Sequence, residues 1–151
     1  MIYLAADHGG FELKKHLLEF LKVDGYEVSD LGNSEFDPAD DYPDFAIKAI
    51  RKVLENPTEN KAVLACRSGT GEVILANRFH GIHATNSSSV QHAKMSREHN
   101  DTNVLALPAD YVDQKTAEEI VSVWLSTKFS GDERHVRRLQ KIEDFSERKT
   151  Q

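Results

Sequence analysis

The sequence predicts a parallel α/β fold from two features. Short apolar runs alternate along its 151 residues with longer stretches whose apolar residues recur at helical spacing. A chain of this length, 39% hydrophobic, also has enough material for one real core. Residues 1–6 read as a buried strand. Residues 9–23 follow as a helix, with Leu13, Leu17, Phe20 and Leu21 at helical spacing and Gly25 at its stop. A second strand covers 26–31, and 32–41 form a polar loop. Pro43 suits the first turn of a helix carrying Phe45, Ile47, Ile50, Val53 and Leu54. The third strand is 61–66, a weaker fourth 81–85, and the fifth 104–107. Helices are expected over 71–79, 87–98, 113–127 and 134–147, with loops at Asn56-Pro57-Thr58 and Pro108-Ala109-Asp110. No repeat or linker interrupts 1–151. The expected architecture is therefore a single Rossmann-like, doubly wound domain of five parallel strands with flanking helices. Ligands bind such sheets beyond the carboxyl ends of the strands, so chemistry should sit at the strand exits.

Composition narrows the function. A formal net charge of −6 argues against a general nucleic-acid binder, which needs a basic face. With Cys66 as its one cysteine the chain forms no intrachain disulfide, which excludes a stapled secreted scaffold. Ile2-Tyr3-Leu4-Ala5-Ala6 follows no basic leader, and no apolar run approaches the ~20 residues that span a bilayer. A cytoplasmic domain without nucleic-acid or membrane partners is expected.

The first strand exit is Asp7-His8-Gly9-Gly10. Its glycines let the backbone approach a ligand and the following helix favours an anion, while Asp7 could equally serve as a helix cap. The third exit is Cys66-Arg67-Ser68-Gly69-Thr70-Gly71-Glu72, which can form a nest of N–H groups for an oxyanion or phosphate. Ile74 breaks the dinucleotide fingerprint, and Glu72 stands where a cysteine phosphatase loop would need arginine. Cys66 is either an inert buried thiol or a reactive one. Arg97-Glu98-His99-Asn100-Asp101 precedes the fifth strand, and a histidine there suits acid–base work. Arg134, Arg138 and Lys141 share one helical face, which reads as a solvated surface or as a grip for an anion. His16, His80, His83 and His92 form no cluster with metal-ligand spacing, so no structural zinc is expected.

In order and spacing these segments resemble the type B ribose-5-phosphate isomerases, a family that includes galactose-6-phosphate isomerase subunits and allose-6-phosphate isomerases. The resemblance runs from Asp7-His8-Gly9-Gly10-Phe11-Glu12-Leu13-Lys14 through Asp41-Tyr42-Pro43-Asp44, the Cys66 loop, Ala76-Asn77-Arg78 and the segment from Arg97 to Ala106, to the C-terminal arginines. It implies an aldose–ketose isomerase of phosphorylated sugars, foremost ribose 5-phosphate to ribulose 5-phosphate, working through a cis-enediolate without metal or cofactor. It implies that Asp7 and His99 open the sugar ring, with His99 supplied by the neighbouring subunit of a homodimer, alone or within a tetramer. Backbone around Ser68, Gly69, Thr70 and Gly71 would stabilise the oxyanion, assisted by the Ser68 hydroxyl. His8, Arg134 and Arg138 would hold the phosphate, and Tyr42 and Asn100 would line the pocket. The proton-transfer base is Cys66 in many members and a glutamate matching Glu72 in another branch. This chain has both, and Cys66 is preferred, its thiol expected to be acidified by Arg67 and the helix N-terminus.

Four departures bear on the substrate. Arg67 replaces the usual glycine and should enter the pocket or pair with Glu72. Asp110 and Pro108 replace an expected arginine and glycine, and Ser87-Ser88-Ser89 replaces a Cys-His-Asp run. The competing readings are an isomerase of allose, galactose or tetrose phosphate, a non-catalytic sugar-phosphate binder, and a flavodoxin-like nucleotide binder resting on fold analogy alone.

Overall fold

The computed structural model describes residues 1–148. Five strands, β1 (Ile2–Ala6), β2 (Val28–Asp30), β3 (Lys61–Cys66), β4 (Ala84–Asn86) and β5 (Val104–Pro108), form one parallel sheet in the order β2-β1-β3-β5-β4. Six helices accompany them: α1 (Phe11–Val23), α2 (Tyr42–Leu54), α3 (Thr70–Ala76), α4 (Val90–Asn100), α5 (Gln114–Ser126) and α6 (Glu133–Arg148). The alternation of side chains along each strand divides the interior in two. Leu4, Val63, Ala65, Leu105 and Leu107 face one way, onto α1, α4 and α5, with Trp124 at the centre of that core. Ala5, Ala62, Leu64, Val104 and Ala106 face the other way, onto α2 and α3 through Ala46, Ile50 and Val53. Helices cover both faces, as a parallel sheet requires.

The three central strands run where the sequence puts them, because they are apolar on both faces. The edges differ. β2 begins at Val28 rather than 26, since Gly25 at φ +84° turns the chain and Tyr26 N–H bonds back to the Leu21 carbonyl. β4 occupies 84–86 rather than 81–85, because Gly81 at φ +81° makes a turn. The Asn77 side chain then brackets Ala84, accepting from its N–H at 2.8 Å and donating to its carbonyl at 3.0 Å. Asn77 thus ends α3 and stands in for a neighbouring strand. Ser89 caps α4 by accepting from His92 N–H, and Asp101, in the left-handed region at φ +46°, ends it.

Two buried cations are paired. Lys14, 1% exposed, donates to both Asp30 oxygens and to the Asn33 carbonyl, pinning the 32–41 loop to α1. Arg97 binds Asp101 and the carbonyls of Thr102 and Thr127 beside Trp124. No helix among the described residues is long and apolar enough to cross a membrane.

Candidate active site

β1 and β3 are adjacent, and β2 and β5 lie to either side of them, so strand order reverses between them. Asp7 and Cys66 stand at this point. Asp7 Oδ1 accepts from the N–H groups of Gly9 at 2.9 Å and Gly10 at 3.2 Å, closing the turn into α1. A side chain at Gly10 would collide with the Ala65 backbone, so α1 can begin this close to β3 only with glycine there. Asp7 thus ties the turn that leads into α1 rather than capping the helix itself, whose N-cap is Gly10 with no side-chain cap hydrogen bond.

After β3 the chain curls round the Cys66 sulfur. Gly69 takes φ +72°, and its N–H donates to Sγ at 3.2 Å. Asn86, at the end of β4, donates to the Ser68 carbonyl at 2.8 Å and holds the loop from the far side. Tyr42, at the start of α2, lies so close over Gly71 that a Cβ there would sit 2.6 Å from its hydroxyl oxygen. Behind the loop Glu72 is 1% exposed, and its Oε2 has no hydrogen-bond partner among the described residues.

The electrostatics of this pair correct one expectation. Burial, and then the Glu72 charge, push the Cys66 thiol up to about 12, outweighing the N–H groups of Gly69 and Ser68, which act to lower it. Arg67 does not acidify it. Burial also raises the Glu72 carboxyl well above the ordinary carboxylate value, although the Cys66 hydrogen bond works against this. Nor does Arg67 pair with Glu72: its stem crosses Gly9 and its guanidinium lies 3.6 Å from Asp110 at the exit of β5. Two of the sequence departures thus meet each other.

His8 is not merely exposed. Its backbone N–H donates to Asp40 Oδ1 at 2.9 Å and its ring Nδ1 lies 2.7 Å from the same oxygen, while Asn33 holds Asp40 Oδ2 at 2.9 Å. Asp7, His8 and Asp40 bring three metal-ligand atoms within 4.8 Å of one another. Oδ1 of Asp7 and both Asp40 oxygens already accept hydrogen bonds from N–H donors. Asp40, Asn33 and Asn86 had no local signal in the sequence and Asp110 stood out only as a departure from the family pattern, because chain-distant contacts bring all four here.

The remaining expected site residues form a second group. His99 and Asn100, at the end of α4, line a cavity of about 890 Å³ between the 77–85 segment and α6. The His99 ring lies 4.5 Å from that of His135, on the turn of α6 that carries Arg134 and Arg138. Among the described residues, no hydrogen bond, ion pair or ring contact joins this group to Cys66 within one chain. His80 and His83, which showed no cluster in sequence, both meet Glu143 of α6, at 2.8 and 2.9 Å.

A buried thiol and carboxyl beside backbone N–H donors suit proton transfer next to a developing oxyanion. Known proteins resemble the chain in sequence and in fold. The *Mycoplasma genitalium* "probable ribose-5-phosphate isomerase B" is 39% identical over 93% of this chain and 92% of its own, and ribose-5-phosphate isomerase B of *Mycobacterium tuberculosis* is 36% identical over 95% and 88%. Among solved structures, ribose-5-phosphate isomerase B of *Clostridium thermocellum* superposes with a TM-score of 0.92 at 39% identity, covering 97% of each chain. The *Mycoplasma genitalium* enzyme with bound ribulose 5-phosphate superposes at 0.93 and 38% identity, covering 97% of this chain and 95% of its own. The sequence profile of the ribose/galactose isomerases matches residues 2–142, and with the fold in agreement, the chain belongs to the ribose/galactose isomerase family.

Proposed function

We propose that the chain interconverts ribose 5-phosphate and ribulose 5-phosphate through a cis-enediolate. The observation that carries this reading is the Cys66–Glu72 pair, buried beside the N–H groups of a tight loop at the switch point of the sheet. A thiol held near 12 cannot act alone at neutral pH. In this reading Glu72, with its raised carboxyl and open Oε2, accepts the Cys66 proton, and the sulfur takes the proton from C2 of the open-chain aldose. The C2–H electrons form the C1=C2 bond, and O1 becomes the oxyanion held by Ser68, Gly69, Thr70 and Gly71. Moving the O2 proton to O1 and returning the carbon proton to C1 yields the ketose. Electrons stay within the substrate, so neither cofactor nor metal enters the scheme.

Ring opening falls to Asp7 and to His99 of a second copy. The separation of the two groups within one chain supports a homodimer, alone or paired into a tetramer, and the His99–His135 contact supports a donated surface that includes Arg134 and Arg138. There the arginines meet the phosphate opposite His8, with Tyr42 and Asn100 along the sugar. A working thiol suits a reducing compartment, and the reading includes the cytoplasm. The Arg67–Asp110 pair favours, as a second reading, a larger or differently placed sugar phosphate. The test is ketose formation from ribose 5-phosphate, followed by circular dichroism beside allose, galactose and tetrose phosphates. Turnover fastest on ribose 5-phosphate supports the first reading; turnover confined to another sugar supports the second; binding without turnover overturns both.

A further inference from the structure

We infer that Asp40 is a positioning residue that holds His8 as an imidazolium facing the substrate phosphate. The inference rests on the reading above that His8 contacts that phosphate. Asp40 lies 32 residues from His8 in sequence, in a loop that offers no motif, yet it is the best-secured carboxylate at the site. Its side chain is 6% exposed. Oδ1 faces both the backbone N–H and the ring Nδ1 of His8, while Oδ2 takes the Asn33 amide. Lys14 completes the mounting: buried within α1, it donates to the Asn33 carbonyl and to Asp30. One oxygen on two donors of the same residue fixes both the backbone and the ring plane of His8.

The chemistry follows from that geometry. A carboxylate on Nδ1 keeps a proton there, so the ring turns Nε2 away from Asp40, and a second proton on Nε2 makes it a cationic donor to an anion. Five influences act on His8. The hydrogen bond to Asp40 raises its proton affinity most, and burial opposes it; the charges of Asp7 and Asp40 add to the rise, and Arg67 works against it. Asp40 is itself held below the ordinary carboxylate value: burial would raise it, but the His8 N–H, Asn33 and the His8 ring outweigh burial. Each partner thus favours the ionised form of the other. Stability of the imidazolium is complete in acid and is lost as pH rises through the raised His8 value.

The test titrates inorganic phosphate into wild type, Asp40→Asn and His8→Asn, following the His8 ring proton by NMR with its assignment from the His8→Asn spectrum. This probe does not depend on which sugar the enzyme uses, and comparing variants at each pH cancels the titration of phosphate itself. Asp40→Asn is expected to lower the His8 titration midpoint and to weaken phosphate binding about tenfold near pH 8, with little loss near pH 5.5, where the ring is protonated in both proteins. On a sugar phosphate the same variant raises KM while kcat changes little. An unmoved His8 midpoint, or an equal loss of affinity at both pH values, overturns the inference and leaves Asp40 a purely structural residue. Unchanged phosphate affinity in His8→Asn instead overturns the reading of His8 on which it rests.

Discussion

Glu72→Gln separates the two roles a carboxylate can have beside a thiol, because they predict opposite signs. Its charge is the second cause, after burial, of a Cys66 thiol at about 12. If Glu72 were only a neighbour, removing that charge would free the thiolate and speed turnover. A thiol of this strength is ionised in about one molecule in 10⁴ at pH 8, so the gain available is large. The relay gives the other sign. Without Glu72 nothing accepts the thiol proton, and kcat falls about 10²–10⁴-fold, the range a positioned base contributes. Glutamine keeps the volume of a side chain that is 1% exposed, and a urea melt checks that the fold survives. Steady-state kcat on ribose 5-phosphate is the assay. A Glu72→Gln enzyme as fast as wild type, or faster, refutes the relay. Cys66→Ala should fall by a similar factor and the double variant little further, since the two residues act as a unit. Near-normal turnover in Cys66→Ala beside a dead Glu72→Gln would make Glu72 the direct base.

The same pair sets the pH dependence: Glu72 must be ionised and its carboxyl is raised by burial, so kcat should climb through a limb more alkaline than an ordinary carboxylate's and be lost in acid; a kcat flat from about pH 5 upward contradicts this. Gly10→Ala drives a methyl into the Ala65 backbone and should cost about 1–3 kcal/mol or more in denaturant unfolding, whereas Gly25→Ala, with open space around it, meets no such clash. Mixing inactive Cys66→Ala with inactive His99→Asn, followed by subunit exchange, should restore up to about a quarter of wild-type activity, because half the dimers then hold one intact site of two. No recovery would place His99 in the site of its own chain.

How much of this the sequence revealed depends on where each residue gets its neighbours. β1, β3 and β5 are buried on both faces, so their apolar runs are continuous and their limits legible. β2 and β4 are three-residue edges, partly exposed and polar in part, and the turns at Gly25 and Gly81 shift them against the pattern. Asp7, Cys66 and Glu72 were readable because a strand exit is a local feature. The partners of His8 and Arg67 were not. Asp40 reaches His8 only because buried Lys14 anchors the 32–41 loop, and Asp110 meets Arg67 only because β5 pairs with β3. The thiol was misjudged for a related reason. Counting Arg67 as a neighbour ignored its path across Gly9 and away from the sulfur, and burial, which no sequence pattern quantifies, decided the sign.

The central claim is proton transfer at the Cys66–Glu72 pair through an enediolate. Its most direct test is conversion of ribose 5-phosphate in deuterated buffer, with the product examined by proton NMR at early times. The account requires ribulose 5-phosphate carrying deuterium at C1 in part of the product, at a rate that collapses in Glu72→Gln. Ketose formed without any solvent deuterium, in wild type and at every stage of conversion, would point to direct hydride transfer from C2 to C1 and contradict the enediolate route.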